Sequence, residues 1–344
     1  MMLRKLLLLT FIFLVIGAYA QKKKLKVFQL NIWQEGTVVP NGFEALVDEI
    51  AYRDADLVAL SEVRNYDNTK FHERIVSALA KRGKVYYSFF SDDSGILSKY
   101  PILEHAQIGS PQEFIGTIYK AVVSCNGAEI AFYTGHLEYT KGANYLPRGY
   151  HADTWEKLEK PIVDVDSILA NSLSSSRDEA ISLFLADATL EEKKNRLVIF
   201  CGDFNEASYL DWTSRTSNLF DHKGLVIPWQ NTSILAKQGY VDAFRKVYPD
   251  EVRFPGFTFP AYNKDVEIKK LIWGADADER DRIDFVFYKE NTRLKATKAY
   301  IVGPKESILR GKMAVEQDES QFLLPRGIWP TDHKGVLVDF VLRK

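Results

Sequence analysis

The residues most able to do chemistry in this 344-residue chain stand where apolar runs end or begin. Asn31 follows residues 25–30 (LKVFQL). Glu62 follows residues 56–60 (DLVAL), and His136 follows residues 129–134. Asp203 and Asn205 come after residues 197–201 (LVIFC). Asp284 stands at the head of IDFVFY, and Asp332-His333 precede GVLVDFVL, residues 335–342. Carboxylate and amide oxygens suit a hard cation such as Mg²⁺. The chain has no Cys cluster and no zinc-type His pair. A hard cation with oxygen ligands belongs with phosphate chemistry, where it neutralises developing charge. Imidazoles beside carboxylates can hold phosphate oxygens and handle protons.

Those positions need a scaffold that brings distant strand ends to one edge. Strand-like runs are frequent: residues 25–30, 56–60, 85–90, 95–98, 102–108, 118–124, 129–134, 197–201, 283–288 and 335–342. Asn126-Gly127 between two of them is a strong hairpin signal. Helical spacing interleaves. Phe43, Leu46, Val47 and Ile50 recur at i, i+3, i+4, i+7, and residues 71–79 repeat the pattern. Residues 155–194 read as mostly helical, with a Ser-rich break at 172–176. Residues 210–281 are rich in turns and read as a long, partly irregular connection of the kind that carries substrate contacts. Mixed strands and helices with hairpins predict α/β layers containing antiparallel pairing.

The N-terminus carries Arg4 and Lys5, an apolar stretch over residues 6–16, and a Gly17-Ala18-Tyr19-Ala20 ending. This is the pattern of a secretory signal peptide, residues 1–20, too short to span a bilayer comfortably. The protein is therefore expected to be exported, to the periplasm or the medium, with residues 21–344 as a single domain and no membrane segment after cleavage. Lys22-Lys23-Lys24 reads as a solvated tail. The 45 basic and 46 acidic side chains leave a net charge of −1, without the basic excess of a strong duplex-DNA binder. Cys125 and Cys201 lie in apolar runs and are expected to be free thiols.

Each motif alone has a plain alternative. Gly202-Asp203-Phe204-Asn205 also fits turn punctuation. Glu62 fits a solvated strand end, Asp284 a partner for Arg282, and His136 a core histidine. Their order is more telling. Leu30-Asn31-Ile32, Leu60-Ser61-Glu62-Val63, Gly135-His136-Leu137, Gly202-Asp203-Phe204-Asn205, Arg282-Ile283-Asp284-Phe285 and Thr331-Asp332-His333 together resemble the endonuclease/exonuclease/phosphatase superfamily. Gly95-Ile96-Leu97-Ser98-Lys99-Tyr100-Pro101-Ile102 resembles a further stretch common in its members. The resemblance runs from about residue 25 to the C-terminus.

That resemblance implies a four-layered α/β sandwich, two packed mixed β-sheets flanked by helices. It also implies a Mg²⁺-dependent phosphoesterase, with Mn²⁺ or Ca²⁺ as alternative ions. Glu62 matches the principal metal ligand, Asn31 the amide beside it, and Asp332 the aspartate that completes the metal shell. Asp203 matches the residue that orients the attacking water, and Asn205 the amide that fixes it and holds a phosphate oxygen. His333 matches the histidine at the scissile phosphate, with Asp284 behind it, and His136 the second histidine. Members place an Arg or a Tyr against the phosphate from the strand before the His-Leu motif; here Tyr119 and Lys120 both stand near that place. Asp93 is a weak counterpart of the carboxylate behind the second histidine, and a turn residue in Ser91-Asp92-Asp93-Ser94 is the preferred reading.

The substrate side is less determined. Trp33 and Trp329 flank two of the motifs and are the preferred walls of a substrate cleft. Arg148 and His151 are candidates to reach a phosphate or hydroxyl. The expected partner is a phosphate ester, in a nucleic acid, a lipid head group or a small molecule; no stable protein partner is indicated. A secreted phosphodiesterase or nuclease is the first reading. A phosphomonoesterase or lipid phosphodiesterase on the same fold is the second. A non-catalytic binding module is the third, disfavoured because every core position is filled.

Overall fold

Strand parity divides the side chains between three apolar cores. The structure, a computed structural model, describes residues 23–109, 117–317 and 321–343; the leader-like segment 1–20 lies outside these. In chain order the strands and helices begin with β1 (Lys23–Asn31), α1 (Gly42–Arg53), β2 (Leu57–Val63), α2 (Phe71–Lys81), β3 (Asp93–Ser98) and β4 (Ile102–Ile108). Next come β5 (Thr117–Cys125), β6 (Ala128–His136), α3 (Val165–Leu173), α4 (Arg177–Lys193) and β7 (Leu197–Asp203). The rest are α5 (Gln230–Lys237), β8 (Tyr240–Asp242), α6 (Ala243–Val247), β9 (Asp284–Lys289), β10 (Leu294–Val302), β11 (Glu306–Leu309), β12 (Lys312–Val315), β13 (Phe322–Leu323) and β14 (Gly335–Leu342).

One six-stranded sheet runs β13-β10-β14-β1-β2-β3, the other β4-β5-β6-β7-β9-β8. Both are mixed: β1–β2 and β6–β7 pair parallel, while β1–β14, β2–β3, β5–β6 and β7–β9 pair antiparallel. Leu25, Val27, Leu57, Ala59, Phe132, Ile199, Val286 and Val338 fill the space between the sheets. Their neighbours of opposite parity face outward. Phe28, Leu30 and Val58 pack under α1 and α2 through Leu46, Ile50 and Ile75. Tyr133, Val198 and Phe285 pack under α4 and α5 through Ile181, Phe184 and Leu235. The result is a four-layered α/β sandwich, as expected. Each buried Leu or Ile in it stabilises the fold by about 2–5 kcal/mol relative to Ala.

Local chemistry explains most boundaries. Asn126 and Gly127 both take positive φ, 56° and 85°, which a tight hairpin turn demands. The Ser-rich break separates α3 from α4, but residues 155–164 are not helical. Pro161 lacks the N–H a helix needs there, and Asp164 caps α3 by accepting from Ser167 N at 2.9 Å. Residues 85–90 form only an isolated bridge, Tyr87 to Ser98, because Tyr86 and Phe89 turn inward singly while Val85, Tyr87 and Phe90 stay exposed. Lys23 and Lys24 are not a loose tail; they open β1 opposite Leu342 and Val341. Both cysteines are buried and unpaired. Among the described residues no helix is long and apolar enough to cross a membrane.

Candidate active site

The same parity that builds the inner core delivers the polar strand ends. Asn31 and Ser61 face each other at the ends of β1 and β2. His136, Asp203 and Asp284 occupy one row across β6, β7 and β9. Each shares its parity with residues of the core between the sheets, so these side chains meet at one rim of that space. Two glycines let the backbones close up. A Cβ on Gly202 would lie 2.2 Å from Gly135 O, and one on Gly135 would press on the Phe200 ring at 3.1 Å. Glu62 sits at an irregularity in the β2–β3 pairing with φ 71°, a backbone setting that re-aims its side chain.

Asn31 ties the cluster together. Its Nδ2 donates to Glu62 Oε1 at 3.1 Å and to Asp203 Oδ2 at 2.9 Å. Its Oδ1 accepts from Trp33 N at 2.9 Å, so this amide holds two carboxylates rather than presenting a free oxygen. Gln34 N donates to Glu62 Oε2 at 3.0 Å. Asn205 N donates to Asp203 Oδ1 at 2.9 Å, and Asn205 Nδ2 donates to Leu137 O at 2.9 Å.

Two imidazoles flank these groups. His333 Nδ1 is 2.9 Å from Asp284 Oδ2, and its Nε2 is 3.8 Å from Asp203 Oδ2 and 3.9 Å from Asp332 Oδ1. Gln29 Nε2 donates to the other oxygen of Asp284 at 2.9 Å. Burial alone would lower the His333 pKa; the charges of Asp284 and Asp203 overcome it and raise it to about 10. His136 Nδ1 lies 2.9 and 3.0 Å from the two oxygens of Asp93. Burial opposes its charge too, but Asp93 raises its pKa to about 9. Asp93 thus stands behind His136, not as a mere turn residue. It also accepts from Thr117 Oγ1 at 3.1 Å and pairs with Arg64.

Two of the carboxylates are raised as well, here by burial itself. Burial, then repulsion from Asp284, lifts Asp203 to about 6. Burial lifts Asp332 to about 7, with repulsion from Glu62 and Asp203 partly offset by His333. Facing carboxylates of this kind fit a divalent ion, since oxygen donors and surplus negative charge are what a hard cation needs. Glu62 and Asp332 both line the cleft, and each feels the other's charge. Asp203, Asp284 and His333 also have ligand atoms within 4.8 Å of one another. There, however, the protonated imidazole already supplies the positive charge between the two carboxylates.

A cleft of about 420 Å³ opens onto this rim. Glu62, His136, Asp203, Asn205, Asp332, His333 and Trp33 line it. The remaining substrate candidates lie elsewhere. Tyr119 has inward parity and is buried between the sheets, its hydroxyl accepting from Asp92 N at 3.2 Å. Lys120 has outward parity and pairs with Asp187 and Glu191 of α4 at 2.7 and 2.8 Å. Arg148 is buried against Asp281 at 2.5 Å. His151 is exposed, its Nδ1 accepting from Asp153 N at 3.2 Å. Trp329 packs under the outer face of the first sheet, its Nε1 donating to His333 O at 2.7 Å. It braces the His333 backbone and is not a cleft wall. The cleft also takes in groups the sequence did not single out, among them Arg64, Phe259, Lys270 and Glu279. Phe259 and Lys270 lie in a turn-rich stretch away from every motif, while Arg64 and Glu279 stand close to motifs without belonging to them.

Comparisons with known proteins agree with this fold. The uncharacterized protein F14F9.5 of Caenorhabditis elegans is 28% identical over 281 residues, 79% of this chain and 81% of that protein. The D. rerio TDP2 structure complexed with single strand DNA product is 18% identical, covers 92% of this chain and 98% of that one, and superposes with a TM-score of 0.53. Truncated Caenorhabditis elegans TDP2 is 16% identical, covers 93% and 97%, and gives 0.51. At those identities the structures speak for the fold alone. Residues 28–333, from the middle of β1 to the site histidine, match the model of the Endonuclease/Exonuclease/phosphatase family, and the chain belongs to that family.

Proposed function

We propose that the protein is a Mg²⁺-dependent phosphoester hydrolase that cleaves phosphodiesters by in-line attack of water. The observation that carries this reading is the convergence of two carboxylate-backed imidazoles, His333–Asp284 and His136–Asp93, on one cleft with Asp203, Asn205 and Glu62. Glu62 and Asp332 would hold the ion, with Asn31 fixing Glu62. When bound, Mg²⁺ supplies Lewis-acid polarisation of the phosphoryl group. Asp203 aligns the attacking water and takes its proton, a task suited to a carboxylate whose pKa has been raised. His333 and His136, both cationic at neutral pH, hold the phosphoryl oxygens as negative charge builds. Asn205 steadies Asp203 through its backbone N–H. Segment 1–20 supports export on its sequence pattern alone.

The test is turnover of bis-p-nitrophenyl phosphate and p-nitrophenyl phosphate with Mg²⁺ or EDTA. Expected is Mg²⁺-dependent turnover that favours the diester, disappears in EDTA and falls roughly 10²–10³-fold in Glu62→Gln. Turnover indifferent to EDTA and to that substitution would falsify the metal-dependent reading, and preference for the monoester would replace diester with monoester chemistry.

A further inference from the structure

Beyond the catalytic cluster, the cleft continues along a row of aromatic rings. Trp155 stacks on Trp273, with centroids 4.4 Å apart and planes 29° apart. Tyr139 lies parallel to Trp155 within 7°, at 6.3 Å, and Tyr145 meets Trp155 edge-on. All four line the cleft, yet Tyr139 and Trp273 remain 51% and 52% exposed. Large rings left half uncovered in a concave site mark a surface built to be covered by something.

The row is held rigidly although its members come from two distant loops. Buried Arg177 donates to Glu138 O, Thr140 O and Lys141 O at 2.7–2.8 Å, which fixes the backbone around Tyr139. Glu279 Oε2 accepts from Tyr145 Oη at 2.8 Å, Trp273 N at 3.0 Å and Gly274 N at 3.1 Å. One carboxylate oxygen thereby joins both loops. Glu279 is 2% exposed and lines the cleft, and among the described residues its Oε1 accepts no hydrogen bond. Lys270 lines the same cleft and makes no ion pair among the described residues.

These features select among ligands. A near-parallel row presents ring faces for planar stacking. A quaternary ammonium prefers several ring faces turned inward around it, and Lys270 would repel it. A nucleotide has a base π-face for the row and ring or amino N–H groups that can donate to the free Glu279 oxygen, and its phosphate carries charge for Lys270. The cleft volume of about 420 Å³ suits a ligand of small-molecule size. We infer that the Tyr139–Trp155–Trp273 row is a base-stacking platform, so that the substrate class is a small nucleotide phosphodiester with its base on Trp273 and its ester at the two histidines.

This rests on the hydrolase reading, so the test separates the two. With Mg²⁺, kcat/KM is compared for the p-nitrophenyl ester of thymidine 5′-monophosphate, methyl p-nitrophenyl phosphate and p-nitrophenyl phosphorylcholine. The wild type should favour the thymidine ester over the methyl ester by roughly 5- to 150-fold, the worth of one base–aromatic stack. That ratio should collapse in Trp273→Ala, mainly through KM, and be largely kept in Trp273→Phe. Independently of turnover, adenosine 5′-monophosphate should quench tryptophan fluorescence in Glu62→Gln but far less in Glu62→Gln/Trp273→Ala. Preference for the choline ester, a thymidine ratio near one, or a ratio that survives Trp273→Ala overturns the platform. If no ester is turned over, the hydrolase reading fails, and the quenching titration alone decides whether the row binds bases.

Discussion

The two imidazole–carboxylate pairs are chemically alike and environmentally different. Asp284 is wholly buried, with one oxygen on His333 and the other on Gln29. Asp93 keeps 28% of its side-chain surface exposed and divides itself among His136, Arg64 and Thr117. The inner pair has its geometry and charge fixed by neighbours that nothing else competes for. The rim pair shares its carboxylate with a cation, and its carboxylate is partly open to solvent, although both imidazoles are raised well above the ordinary range. Groups of one type placed in unlike surroundings commonly divide the proton work. In the proposed hydrolysis, His333 is the permanent cation and His136 the group able to give up a proton to a departing alkoxide.

The largest effect should come from the inner pair. In Asp284→Asn, His333 loses the charge that keeps it protonated, and kcat should fall roughly 10²–10³-fold in steady-state assays on the diester. Asp93→Asn should cost less, about tenfold, the equivalent of one pKa unit of lost charge stabilisation. If the two losses were equal, the distinction between inner and rim pairs would be gone. The pH profile sharpens it. Activity should rise as Asp203 deprotonates near 6 and decline as His136 deprotonates near 9, and Asp93→Asn should draw the alkaline limb down. Stability has the matching sign. A histidine raised from 6.5 to about 9 adds stability that is full below 6.5 and lost as pH climbs through 9. Melting curves in EDTA should therefore fall over that window for the wild type and less steeply for Asp93→Asn. The smallest effect belongs to His151→Ala, where activity should hold and stability should stay within about 0.5 kcal/mol, because its ring lies outside both pairs and the cleft.

The strand-end positions were legible because the signal is local: a short apolar run, then Asn31, Glu62 or Asp203. Asp93 was harder to read, lying 43 residues from His136 in a segment that reads as turn punctuation. Gln29 looked like any strand residue, and only the packing of one sheet on the other shows it beneath Asp284. Tyr119 and Lys120 show what alternation decides. Neighbours on β5 must face opposite ways, and knowing which face met α4 would have removed Lys120 from the cleft. Trp329 stands close to His333 in sequence, but adjacency along a chain does not say on which side of a sheet a ring lies. The aromatic row needed two loops from far apart to be placed side by side.

The near-touch of Gly135 and Gly202 has a consequence for engineering. Their neighbours Val198, Ile199 and Phe132 can drift among similar apolar shapes if volume is kept. Gly202 cannot, because any added carbon there meets a carbonyl on the adjoining strand, whereas one on Gly135 would press only on the Phe200 ring. A library randomising the core positions around both should return varied hydrophobics and an unchanged Gly202. The tolerance of this rim to redesign is thus set above all by one residue that carries no functional group at all.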